Sequence, residues 1–386
     1  MDDIPTELVV DILQRLPWTS RRRLRLVCRS WRDLVHQQTT EMQQRRDAVP
    51  LVVTSESAYV VDIADPEEES SSITCALREL HLGGGGGRRY LERMEVVGVC
   101  NGVLCLCDDS KPAGAVTLAN PATGDVLPLP PIPRDGLFRR HNTRRSGRSW
   151  HQAYSFGFHR GTGQYKVVHV PCFFKTKVTL QVFTLGEASW REVPAPAYAA
   201  CNLDAGVVSV DGATYWATEG SGDRIMCLDL ESERVTCAPP LPASARPICR
   251  LTQVNRRLGA ATTAYRPPYH GYGSIQVWGL EGRRRNEQTW VHLYRLTSCL
   301  YGPEQEMARP YLIHGEYVLL TDGGDRLVLR RHQPINYYYG RRSSECTAVH
   351  DNACDQTTIL SDMRGRIRRT FAYLKTEEAL SVHRRW

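Results

Sequence analysis

The chain has 386 residues, 41% hydrophobic and 24% charged, with a formal net charge of +7. That length exceeds one small core and predicts two or three domains, or one small module beside a large repeat-built one. No apolar run reaches the roughly 18 residues of a membrane-crossing helix, and the opening MDDIPTEL is acidic with no apolar stretch, so neither a transmembrane helix nor a secretory signal is expected.

The first fifty residues read as helices. Leu8, Ile12, Leu13 and Leu16 recur at helical spacing and make one apolar stripe. Pro5 suits a helix start, and Pro17 cannot continue one. Thr19 or Ser20 offers an N-cap for a second stretch, where Leu24, Val27, Cys28, Trp31, Leu34 and Val35 recur at three- and four-residue steps. A segment this short cannot bury its own stripe, so that face needs the rest of the chain or another protein. Each aliphatic buried there supplies about 1.5–3 kcal/mol before association costs. The polar stretch HQQTTEMQQRRD follows as a spacer helix or linker.

Ile4-Pro5, Leu8, Ile12-Leu13, Leu16-Pro17 and Val27-Cys28-Arg29-Ser30-Trp31-Arg32 with Leu34 resemble an F-box over about 35 residues. The resemblance implies a three-helix module that docks on the Skp-type adaptor of cullin-RING ubiquitin ligases. Ile4, Pro5, Leu8, Ile12, Leu13, Leu16, Pro17, Leu24, Val27, Cys28 and Trp31 would then form or complete the adaptor-binding face. Arg21 and Arg22 stand where the family often has leucines; long arginine stems still cover apolar surface.

From about Pro50 the pattern changes to short β-rich runs bounded by Gly, Pro, Asn or Asp. Two units recur. One is a tight turn in a hydrophobic hairpin: CNGVLCL, VDGATYW and IHGEYVLL. The other is strand, polar turn, strand, ending in a proline-containing exit: LANPATGDVLPLP, FTLGEASWREVP and LDLESERVTCAPPLP. Asn-Gly and Asp-Gly suit two-residue turns that need positive φ. Hairpins alternating in this way predict four-stranded sheets repeated around an axis. A double-sheet sandwich is the alternative, although the region is long for one. The ordered series from Val97 to Leu296 resembles the F-box-associated domain of plant-type F-box proteins, which implies a Kelch-like propeller that captures a protein substrate. The expected architecture is therefore α+β and multidomain. Residues 1–49 form a three-helix F-box with linker, and residues 50–386 form a mainly-β propeller of about six irregular blades. Residues 297–386 fit the repeat poorly.

Thirteen cysteines without an export signal predict free thiols in a reducing compartment, cytoplasmic or nuclear. Three of them crowd into CNGVLCLCDD. A hairpin turning at Asn101-Gly102 pairs Cys100 with Val103 and Gly98 with Cys105. It places Cys100, Cys105 and Cys107 on one face, with Val97, Val99, Leu104 and Leu106 on the other. Zinc would need sulfurs about 3.7 Å apart, whereas residues two apart on a strand are separated by about 6.6 Å. Buried thiols, with no metal between them, are the expectation.

Other features carry less chemistry. Gly83–Gly87 lacks the Lys-Ser/Thr and helix of a phosphate loop and reads as a flexible connection. Glu67–Ser72 reads as an exposed loop open to phosphorylation. Asn336–Glu345 mixes tyrosines and arginines, either as a recognition surface or as a packed loop. The arginines of Arg134–Arg148 suggest a nucleic-acid contact or a nuclear address; with only Phe138 and Trp150 as nearby aromatics, a solvated loop is favoured. No H-E-x-x-H or G-x-S-x-G occurs. The reading is thus a non-catalytic, cofactor-free substrate receptor of a Skp-cullin-F-box ubiquitin ligase, with unknown substrate and no membrane partner. A propeller enzyme, hydrolase or oxidase, with an incidental helical N-terminus is the alternative.

Overall fold

A computed structural model describes residues 8–9, 48–63, 75–81, 94–111, 113–133, 150–159, 162–170, 178–196, 198–218, 224–242, 248–254, 257–264, 272–282, 287–299, 312–314, 317–322, 326–331, 357–360, 363–365, 367–376 and 380. Apart from helical Leu8 and Val9, these are strands, turns and two short 3-10 segments, Trp150–Ala153 and Leu203–Ala205. The expected three-helix module lies outside the described residues.

The strands form antiparallel meanders. The first sheet contains β1 (Val49–Thr54), β2 (Ala58–Ile63) and β3 (Cys75–Glu79). The second is β4 (Met94–Cys100), β5 (Val103–Asp108), β6 (Ala115–Asn120) and β7 (Asp125–Pro128). The third is β8 (Tyr154–His159), β9 (Gln164–His169), β10 (Val178–Thr184) and β11 (Arg191–Ala195). The fourth is β12 (Val207–Val210), β13 (Ala213–Ala217), β14 (Ile225–Asp229) and β15 (Val235–Cys237). Next come β16 (Ile248–Val254), β17 (Arg257–Ala264), β18 (Tyr272–Glu281) and β19 (Thr289–Cys299). They are followed by β20 (Leu312–His314), β21 (Tyr317–Asp322), β22 (Arg326–Arg331) and β23 (Thr357–Leu360). Finally β24 (Ile367–Tyr373) pairs with β1, Val49 opposite Tyr373, and completes the first sheet.

Innermost strands β24, β4, β8, β12, β16 and β20 stand side by side around the centre, and β20 returns to β24. The result is a mainly-β propeller of five sheets among the described residues, where about six blades were expected. The difference has a local cause. A parallel pairing of Val254 with Ile313 joins β16 to β20, so two four-stranded meanders become one eight-stranded sheet.

The cores lie between neighbouring sheets, which is why the strands read as continuous apolar runs rather than alternating ones. In β5, Leu104 and Leu106 face Leu51, Val53 and Val60 of the first sheet. Val103, Cys105 and Cys107 face Tyr154, Phe156 and Val167 of the third. Val168, Leu180 and Val182 then meet Trp216, Met226 and Leu228, and Tyr215, Ile225 and Cys227 meet Leu251, Leu258 and Leu280. Each such aliphatic contributes about 1.5–3 kcal/mol when fully buried.

Both recurring sequence units have a structural role. CNGVLCL and VDGATYW join the two inner strands of their sheets, with positive φ at Asn101 (47°), Gly102 (74°), Asp211 (51°) and Gly212 (74°). IHGEYVLL supplies the antiparallel pair β20 and β21. The second unit joins the two outer strands. Its proline exit is a docking point: Trp190 Nε1 donates to Pro130 O at 2.7 Å, and Trp290 Nε1 donates to Pro239 O at 2.8 Å. Each bond runs from an outer strand region of one sheet to the exit of the sheet before it, so the exits and tryptophans register adjacent sheets.

Candidate functional site

The sequence offered several candidates for chemistry or recognition. Of the residues expected on the adaptor-binding face, only Leu8 is described; it is helical and 54% exposed. Ile4, Pro5, Ile12, Leu13, Leu16, Pro17, Leu24, Val27, Cys28 and Trp31 lie outside the described residues, as do Arg21, Arg22, Glu67–Ser72, Gly83–Gly87, Arg134–Arg148 and Asn336–Glu345.

The cysteine hairpin turns as its sequence predicts, with Cys100 opposite Val103 and Gly98 opposite Cys105. Cys105 and Cys107 are fully buried, Cys100 is partly so, and all three are free thiols in the core between the second and third sheets. The predicted face of Val97 is corrected. A register shift between Val96 and Gly98 inserts one residue into β4, so Val97 joins the cysteines while Val96 takes the opposite core. Burial pushes the Cys100 thiol up to about 12. It also raises Cys105, and raises Cys107 further with the help of the nearby Asp109 charge. These thiols are apolar packing groups at neutral pH, not thiolate ligands or nucleophiles. Among the described residues no group of three or more His, Cys, Asp or Glu could hold a metal ion.

Beside Cys107 stands a pair that the sequence does not advertise. Asp109, just past the end of β5, accepts the His151 backbone N–H at 2.8 Å on Oδ1, and its Oδ2 lies 2.6 Å from His151 Nδ1. The Cys107 thiol donates to Asp109 Oδ1 from 3.7 Å. Burial opposes the charge on Asp109, but the hydrogen bonds from His151 outweigh it and hold the carboxyl below its ordinary value. The carboxylate stands between thiol and imidazole, so His151 is not placed to take the Cys107 proton. The two residues are 42 apart in sequence, and no local pattern links them.

The same end of the propeller carries an exposed aromatic. The 3-10 turn Trp150–Ala153 packs against Leu203–Ala205, the turn that leads into β12. Just upstream, Tyr198 is 48% exposed, and the Arg224 guanidinium lies over its ring, 4.9 Å from the centroid. Trp216 Nε1 anchors this loop by donating to Ala199 O at 2.7 Å. Neither Tyr198 nor Arg224 carries a sequence signal that separates it from other loop residues.

The opposite end is braced by charge. Lys166, 4% exposed, donates from Nζ to Leu230 O and to Glu233 Oε1 at 2.6 Å. Arg191 reaches the same carboxylate and also Glu187 and Thr184. Burial works against the Glu233 charge, yet hydrogen bonds from Arg191 and Lys166 hold its carboxyl below the usual value. This network ties the third sheet to the β14–β15 turn.

Residues 59–301 match the family described as the F-box associated beta propeller domain. The chain belongs to this family. Residues 1–40 of this F-box-associated propeller protein match a second family, F-box-like. The chain is 25% identical over 350 residues to F-box protein At3g07870 of Arabidopsis thaliana, covering 81% of this chain and 77% of that one. It is 24% identical over 319 residues to F-box/LRR-repeat protein At2g43260 of the same plant, covering 76% and 67%. Among solved structures, a DUF4623 family protein from Bacteroides eggerthii aligns with a TM-score of 0.34 and 14% identity, covering 77% of this chain and 71% of that one. A score that low carries no argument about fold or function.

Proposed function

We propose that this protein is the substrate-recognition subunit of a Skp-cullin-F-box ubiquitin ligase. The observation that carries the reading is the order of two modules in one chain: an F-box-like match at residues 1–40, then an F-box-associated propeller match at 59–301. An apolar helical stripe too small to fold alone is suited to docking on an adaptor. A propeller whose cores lie between its sheets leaves its ends free to hold a second protein in a Kelch-like manner. The chain itself catalyses nothing in this reading. It raises the effective concentration of substrate near the ubiquitin-transfer machinery.

Co-purification with a Skp-type adaptor tests the proposal. The full chain is expected to retain the adaptor, and a Leu13→Asp, Pro17→Ala double variant to lose it. Retention by a chain lacking residues 1–49 would overturn the assignment.

A further inference from the structure

We propose that the end of the propeller bearing Tyr198, Arg224 and His151 binds an acidic segment of a protein partner. The proposal rests on the receptor reading and names the class of partner. Tyr198 is 48% exposed, and among the described large hydrophobics only Leu8 of the N-terminal segment is comparable. An exposed tyrosine offers contact area with little rotamer entropy to lose. Arg224 is itself exposed and lies against the ring. A stacked guanidinium uses its flat face and keeps its N–H fork for a carboxylate. Among the described residues Arg224 has no acidic partner.

His151 extends this surface. Asp109 engages Nδ1 and the backbone N–H. Nε2, on the far side of the ring, has no partner among the described residues, and the side chain is 17% exposed. With Nδ1 taken by Asp109, Nε2 is the ring atom left to hydrogen-bond a partner. Exposed Lys111 follows Asp109 by two residues.

Charge alone would also suit a nucleic acid. The aromatic content decides between the two. Single strands are gripped by successive stacking platforms, whereas the described surface offers one exposed ring with an arginine already on it. Aromatic and arginine residues together are the composition of a protein-binding hot spot.

The experiment uses the full chain and fluorescence anisotropy. The probes are a short labelled glutamate-rich peptide with a central tyrosine, its lysine-rich counterpart, and a single-stranded oligonucleotide of equal charge. The glutamate peptide is expected to bind, more weakly as salt rises, and the other two are not. Arg224→Glu and Tyr198→Ala should each weaken binding by about tenfold. Arg257→Glu, the same charge change at an exposed turn on the opposite end, should leave it unchanged. Equal loss from Arg224→Glu and Arg257→Glu, binding of the oligonucleotide in preference to the peptide, or no binding of the glutamate peptide would each overturn the proposal. Thermal melting of every variant separates lost contact from lost fold. Adaptor co-purification is read in parallel: if it persists while peptide binding fails, the acidic-segment proposal falls and the receptor reading stands.

Discussion

His151 holds Asp109 with two donors at once, its backbone N–H on one carboxylate oxygen and its imidazole on the other. The folded carboxyl is therefore below its ordinary value of 3.8. The pair's contribution is fully present above the unfolded pKa, about 4, and is lost as pH falls through the lower folded value. Asp109→Ala is expected to cost about 1–3 kcal/mol at pH 7, because it leaves the His151 donors and the Cys107 thiol unmet. The difference from wild type should shrink as acid protonates Asp109 in the parent. Urea unfolding at several pH values measures both effects; a gap that stays constant down to pH 2 contradicts the assignment.

Glu233 is shared by Lys166 and Arg191, and Lys166 has a side chain only 5% exposed. Removing the carboxylate strands a buried ammonium, so Glu233→Ala is expected to destabilise the protein by about 3–5 kcal/mol. Lys166→Met in the same chain should recover most of that loss, because the charge that needed the partner is gone. A double-mutant cycle in urea reads the coupling; additive losses would show that the ion pair is not the source.

The buried thiols should ignore alkylating reagents. Native Cys105 and Cys107, with no exposure and raised pKa values, are expected to stay unmodified by iodoacetamide at pH 8, and Cys100, pushed up to about 12, nearly so. Cys237 is exposed and should label first among the described cysteines. Peptide mass mapping before and after urea gives the answer, and rapid native labelling of Cys107 would be inconsistent with the packing described.

Much of this arrangement was legible from local sequence. Asn101-Gly102 and Asp211-Gly212 declared their turns because positive φ restricts the residues that fit. The proline exits declared sheet boundaries. The N-terminal apolar stripe was expected to be a docking face; apart from Leu8 and Val9 that stretch lies outside the described residues. What stayed hidden depends on residues distant in sequence or on a one-residue slip. The β16–β20 junction rests on a single parallel pair, Val254 with Ile313, and no local pattern encodes it. The inserted residue in β4 sends Val97 to the cysteine side, and strict alternation cannot anticipate a bulge. Asp109 and His151 meet only because β8 enters beside the end of β5. Tyr198 and Arg224 are ordinary loop letters until the fold exposes them together.

The pairing of β24 with β1 has a consequence for how the protein is made. Val49 and Tyr373 sit opposite each other, so the ring cannot close until β24 has left the ribosome. Until then β1 presents an unpaired edge next to an apolar core, a state open to wrong partners. Beyond β24, Thr376 O accepts Asn120 Nδ2, Leu380 N donates to Asp125, and the Leu380 side chain is 1% exposed. The segment after β24 thus locks the second sheet as well as the first. A chain truncated anywhere before Ile367 would yield an open, adhesive β-protein rather than a smaller closed one, and such a product should be cleared by the cell's quality control.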